Sequence, residues 1–146
     1  MFYFITLTKT IIMETRDSII LSMRPEIPSA KIHSNTSDEE RFQNQTLRPV
    51  VRLQSELLLA SFRNYVAKHK NVFFELGPEK RMDYIENAIH KDMKFRNSLK
   101  GIIIGQFTLN EFEEYTKNSS SLNKRMMDIV KERLKSNIQL FEYDYV

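Results

Sequence analysis

From Ser37 to Lys70 the chain reads SDEERFQNQTLRPVVRLQSELLLASFRNYVAKHK, and this stretch constrains the fold more than any other. Leu47, Val50, Val51, Leu57, Leu58, Phe62, Tyr65 and Val66 recur at helical spacing, interrupted by Gln54 and Ser61. Apolar residues three and four apart line one face of a helix, so this seam needs another surface to bury it. Thr36 with Glu39, and Ser37 with Glu40, both have capping-box spacing, in which a hydroxyl takes a free amide and a carboxyl group reaches back. A helix should begin there. Pro49 falls inside the pattern, where its ring meets the carbonyl four residues earlier. The expectation is a break near Leu47 and Arg48, with helices over about 38–46 and 48–69.

Downstream, NVFFELGPEK supplies an apolar plug of Val72, Phe73, Phe74 and Leu76 before a turn at Gly77 and Pro78. Pro78 suits the first position of a helix, because the amide it lacks has no partner there anyway. Met82, Ile85, Ala88, Ile89, Met93, Arg96 and Leu99 then predict a helix over about 79–100, with Gly101 as a left-handed cap. IIIGQF at 102–107 reads as continued helix or buried connector, since a lone strand has nothing to pair with. Thr108 with Glu111 is a third capping box and opens a short helix over 109–117, with Leu109, Phe112 and Tyr115 on one side. NSSS at 118–121 interrupts, and a last amphipathic helix runs over about 122–141. Upstream, Ile19, Ile20 and Met23 predict a short helix over 14–23, and Pro25 and Pro28 turn the next stretch into an extended connector. Residues 1–12 are apolar but have no basic start or cleavage pattern and are too few to cross a bilayer; they read as a leader or a start-site artefact ahead of Met13.

Only three glycines and four prolines in 146 residues, with 41% apolar and 28% charged side chains, disfavour a turn-rich β fold. The expected architecture is all-α: a single-domain helical bundle of five or six helices over 36–142, preceded by a short helix and connector at 13–35 and ending in a frayed 143–146. Its expected core takes Leu53, Leu57, Leu58, Phe62 and Val66 from the first long helix, and Ile85, Ile89 and Leu99 from the second. Ile103, Phe107 and Phe112 join them from the connecting region, with Met126, Ile129, Val130, Leu134 and Ile138 from the last helix. With no cysteine, disulfides, thiolate ligands and cysteine nucleophiles are excluded, which fits a cytoplasmic protein. A net charge of +3 gives no strong field for a polyanion, and no segment reads as membrane-spanning.

Convergent chemistry is sparse. Asp83, Glu86 and His90 share one helix face with Asn87, and carboxylates with an imidazole suit several divalent ions. A bundle metal site draws matching ligands from facing helices, and none is evident; a polar face with a Glu86–His90 contact accounts for the same spacing. No cofactor motif, nucleophile elbow, phosphate loop or metalloprotease spacing occurs, so catalytic and cofactor roles fall on no residue. A nucleic-acid reading uses the start of the last helix, where Asn123 and Arg125 could read base edges and Lys124 could hold phosphate. A basic surface at Arg63, Asn64 and Lys68, and another at Lys94, Arg96, Asn97 and Lys100, lie close in sequence to Phe62, Tyr65 and Phe95 and would suit a partner, RNA or a phosphorylated ligand.

The stretches LRPVVRLQSELLLASFRNYVAKHKNVFFEL, ENAIHKDMKFRNSLKGIIIGQFT and NKRMMDIVKERL resemble a group of small bacterial proteins, some of which carry the label glyoxalase. The resemblance runs from about Arg24 to Glu142, supports Met13 as a start, and implies a lyase. Metal-dependent glyoxalases are built from strand-rich modules with His and Glu ligands, and related hydrolases use H-x-H-x-D-H; neither pattern is present, so no site residue transfers. The leading functional expectation is a non-enzymatic binding or scaffolding protein that uses leftover apolar surface for a protein partner or a second copy of itself. Nucleic-acid binding and a glyoxalase-type enzyme are the alternatives.

Overall fold

The computed structural model describes residues 15–27 and 36–137. Among these every regular element is helical, and no helix is long and apolar enough to cross a membrane. Residues 15–23 form α1. The chain continues with α2 (Asp38–Phe42), a π-helical turn (Gln43–Leu47), α3 (Arg48–Leu53) and α4 (Ser55–Lys68). A 3-10 turn (Val72–Glu75) leads into α5 (Pro78–Lys91), α6 (Met93–Ile104), α7 (Leu109–Thr116) and α8 (Ser119–Ser136). The seven α-helical segments from Asp38 onward exceed the five or six expected, because both long helices are cut.

Each cut has a local cause. Ser37 caps α2 by accepting the Glu40 amide, as its spacing predicts. The break expected before Pro49 takes the form of the π turn, in which the Arg48 amide reaches back five residues to the Gln43 carbonyl. One extra residue per turn shifts the carbonyl that the proline ring would strike, and the helical path continues. At Gln54 the backbone leaves helical geometry (φ −91°, ψ 6°) while its side chain donates to the Ile102 carbonyl at 3.0 Å. At Asp92 the expected 79–100 helix ends and α6 begins, capped by the Asp92 carboxylate on the Phe95 amide at 3.2 Å. Gly101 does not cap. It lies exposed within α6, where a side chain added to it would meet nothing within 4 Å, and the helix runs on through Ile104. The interruption expected at 118–121 is narrower: α7 ends at Thr116 and α8 starts at Ser119, so the break is Lys117 and Asn118, and Glu39 accepts from Ser121 Oγ at 2.7 Å and from Asn118.

A contiguous apolar core runs from Phe42 to Leu134, with α8 at its centre, packed against α3, α4, α5, α6 and α7. Phe62, wholly buried, has ring contacts with Phe73, Tyr84 and Phe95 at 5.2, 6.2 and 6.4 Å between centroids. Two expected core residues are exposed, Leu57 at 51% and Phe112 at 45%, and Leu53 is only half-buried. After the break at Gln54 the inward face of α4 is Leu58, Leu59, Phe62 and Val66, which turns Leu57 outward. Phe112 sits one turn from buried Tyr115 on short α7, beyond the edge of the core. Ile138 lies outside the described residues.

Candidate functional site

An open groove of about 800 Å³ lies where α4, α5 and the α5–α6 corner meet. Its formation follows from two chain reversals. After α4 the chain turns through Lys70 and Asn71, both at positive φ (62° and 57°), with the Asn71 amide bonded back to the Val66 carbonyl at 3.0 Å. This left-handed pair delivers Val72 to one side of the groove and buries Phe73 as the plug beneath. Arg81 fixes the plug: Nε donates to the Leu76 carbonyl and Nη2 to the Phe74 carbonyl, each at 3.0 Å, with the guanidinium 5.2 Å from the Phe73 ring centroid. The second reversal is the Asp92 corner, which places Met93 and Lys94 in the opposite wall.

Between these walls lie Tyr65, Tyr84 and Ala88. Tyr65 is held in a stack, its ring 4.1 Å from that of His69 and 4.3 Å from that of Phe95. His69 keeps its place by donating from Nδ1 to the Tyr65 carbonyl at 2.7 Å. Burial, reinforced by the Asp92 carboxylate to which the Tyr65 hydroxyl donates, pushes the Tyr65 hydroxyl up to about 12. Burial likewise raises Tyr84, whose hydroxyl is shut off from solvent with no hydrogen-bond partner among the described residues. Val72 and Met93 are exposed at 43% and 58%, while Lys91 and Lys94 stand at the rim.

The residues singled out by spacing fare differently. Glu86 and His90 are linked through α8: Glu86 Oε1 lies 2.9 Å from Lys131 Nζ and 3.1 Å from Lys135 Nζ, and Lys131 lies 3.4 Å from His90 Nε2. Hydrogen bonds from Lys131, then Lys135, bring the Glu86 carboxyl down to about 2. Two ammonium groups occupy the oxygen a cation would need, Asp83 stays exposed, and among the described residues no group of three or more acidic, His or Cys side chains could hold a metal.

At the start of α8, Asn123 accepts from the Tyr115 hydroxyl at 2.5 Å. Arg125 donates to Gln43 at 2.7 Å and lies 3.5 Å from Glu39. Lys124 is exposed, in a cleft that also holds Glu39, Asp128 and Glu132. Of the basic surface residues, Asn64 and Lys68 are exposed, Arg63 is half-buried, and Lys94 reaches the groove.

Sequence reasoning missed Val72, Tyr84 and Met93 as site residues. A usable signal was Asp92, whose carboxyl group three residues before Phe95 marks a helix start inside an otherwise continuous stripe. Sequence reasoning also missed a buried clamp. Arg24 Nη1 and Nη2 donate to Glu111 Oε2 and Oε1 at 2.6 and 2.5 Å, and Nη2 reaches the Gln106 carbonyl at 2.7 Å. Glu111 also takes the Thr46 hydroxyl at 2.9 Å and completes the predicted capping box with Thr108. Comparison of the chain with protein-family models, with curated proteins and with solved structures finds no match.

Proposed function

We propose that this protein works by binding and not by catalysis: a single-domain helical scaffold that presents the α4–α5–α6 groove to a partner. One observation carries the reading. The groove combines exposed apolar side chains, Val72 and Met93, with rim lysines that have no ion-pair partner among the described residues. Elsewhere the strongly placed polar groups are engaged internally: Glu86 by two lysines, Glu111 by Arg24, and Glu39 by Ser121 and Asn118. Clustered apolar exposure beside free charge is the composition of a recognition surface.

A photo-crosslinking amino acid placed at Met93 in living cells tests this directly. Discrete adducts to another polypeptide, absent when the crosslinker replaces exposed Phe112, are the expected result. No adduct at position 93 would overturn the docking reading. So would turnover of the methylglyoxal–glutathione adduct by the purified protein, the activity that the glyoxalase label implies.

A further inference from the structure

Resting on that reading, we infer that the groove's occupant is an acidic protein segment carrying a large apolar or aromatic anchor. Charge chooses the sign. Lys91 and Lys94 line the groove, and exposed Lys68 and Lys70 flank His69 at its α4 end. None of these ammonium groups has an ion pair among the described residues. The carboxylate in the lining, Asp92, is committed to the Phe95 amide and the Tyr65 hydroxyl. The C-termini of α4 and α5 also face this region, each equivalent to roughly half a negative charge. The N-terminus of α6, at Met93 and Lys94, contributes roughly half a positive charge, so Lys91, Lys94 and that helix start against Asp92 and the two helix ends leave the lining a surplus of roughly half a positive charge, to which exposed Lys68 and Lys70 beside His69 add.

Shape and chemistry choose the class. The groove is open along its length, whereas small-molecule sites enclose most of their ligand. A single-stranded nucleic acid would need free aromatic faces on which to stack bases. Of the lining rings, Tyr65 is held between His69 and Phe95 and Tyr84 packs against Phe62, Tyr65 and Phe73, which leaves exposed His69 and not the succession of platforms a strand of bases needs. What the walls offer is aliphatic and adaptable: Val72 and Ala88, with Met93 free to reshape around an anchor side chain. An apolar anchor settling between Val72 and Met93, with flanking carboxylates on Lys91 and Lys94, satisfies both halves of the surface.

The test uses fluorescence anisotropy with a short fluorescein-labelled peptide of glutamates around one phenylalanine and one leucine. The full chain should bind it, with affinity falling about tenfold or more in the Lys91→Glu/Lys94→Glu variant and likewise in Met93→Glu. These are exposed positions, and circular dichroism should be unchanged. Equal binding of a lysine-substituted peptide, indifference to the lysine reversals, or tighter binding of a labelled single-stranded oligonucleotide would each overturn the inference. The cellular crosslink separates this inference from the docking reading beneath it. An acidic segment at the mapped position-93 adduct supports both. A basic or neutral segment, or a second copy of this chain, sinks the acidic occupant and leaves docking intact.

Discussion

Replacing Glu111 by glutamine should release α1 from the bundle while leaving the bundle folded. Among the described residues, helix α1 is held mainly by polar contacts. Among residues 15–23, Ile20 is the buried one, and Ile19, Leu21 and Met23 are each about half exposed. Arg16 donates to the Phe107 and Gly105 carbonyls at 3.1 and 3.3 Å, and Asp17 accepts the Leu109 amide at 3.4 Å. The firmest attachment is the Arg24–Glu111 pair, with side-chain exposures of 7% and 16%. Hydrogen bonds to a charged group contribute about 1.5–3 kcal/mol each, and a neutral amide retains part of that, so the loss should be about 2–3 kcal/mol. Burial of Ile20 contributes about 1.5–3 kcal/mol, less than α1 needs to stay docked with a stranded guanidinium, so the segment detaches before the core opens.

Glutamine is the informative substitution because it still serves at the third position of the capping box, which leaves α7 nucleated. Native-state hydrogen exchange reads the outcome: α1 amides should exchange about 30- to 150-fold faster, with amides of Met126–Val130 in α8 changed by less than about fivefold. Acid should reproduce the effect in the unmodified protein. Burial pushes the Glu111 carboxyl up, but the Arg24, Thr108 and Thr46 hydrogen bonds outweigh it and leave it lowered. A lowered folded value means that the docking energy is complete above the ordinary carboxylate range and is lost as pH falls through the folded value. Unchanged α1 exchange in Glu111→Gln, or equal acceleration in α8, would refute the reasoning.

Tyr65 should ionise near 12 in a spectrophotometric titration, and Asp92→Asn should bring it down; the stability tied to it is present below pH 10 and lost as pH rises toward 12. Lys70→Gly should raise stability by about 0.5–1 kcal/mol in urea denaturation, because Lys70 holds φ at 62°, where an L side chain is strained and glycine is not. Phe62→Ala should cost about 3–5 kcal/mol in the same assay, whereas Leu57→Ala, at a half-exposed position, should cost less than about 1 kcal/mol. Glu86 should titrate near 2 by carboxyl-detected magnetic resonance and return toward 4.5 in a Lys131→Met/Lys135→Met variant.

Local signals carried the fold. Ser37, Thr108 and Pro78 act where their neighbours in sequence say they should, since a cap or a helix-opening proline depends on three or four residues of context. The class of fold and most of the α8 stripe follow from periodicity for the same reason. What failed is phase. Gln54 and Asp92 each break a stripe that looks continuous, and a break of one residue turns the face by about 100°. Leu57 was lost from the core in that way, replaced by Leu59. The groove was illegible for a related reason: Val72, Tyr84 and Met93 come from three segments, and only the two chain reversals bring them together.

The Asp83, Glu86 and His90 spacing shows why a motif on one helix decides little. The spacing fixes which side chains share a face, and α5 does carry Glu86 beside His90. The chemistry is set by the helix opposite, and α8 presents Lys131 and Lys135 there, four residues apart and so one turn apart. Had α8 offered a carboxylate and an imidazole at those positions, the same face would read as half of a metal site. With lysines it becomes a clasp between α5 and α8, on helices that also pack through Ile85, Ile89 and Val130 in the core. The groove obeys the opposite logic. Its lysines have no ion pair among the described residues, and the carboxylate beside them, Asp92, is taken by the Phe95 amide and the Tyr65 hydroxyl, so the docking proposal assigns the complementary charge to a partner. Rim lysines without an ion pair among the described residues, in a protein that answers Glu39, Glu86 and Glu111 internally, are the ground on which the groove is proposed as a docking site while the Glu86 face reads as a joint.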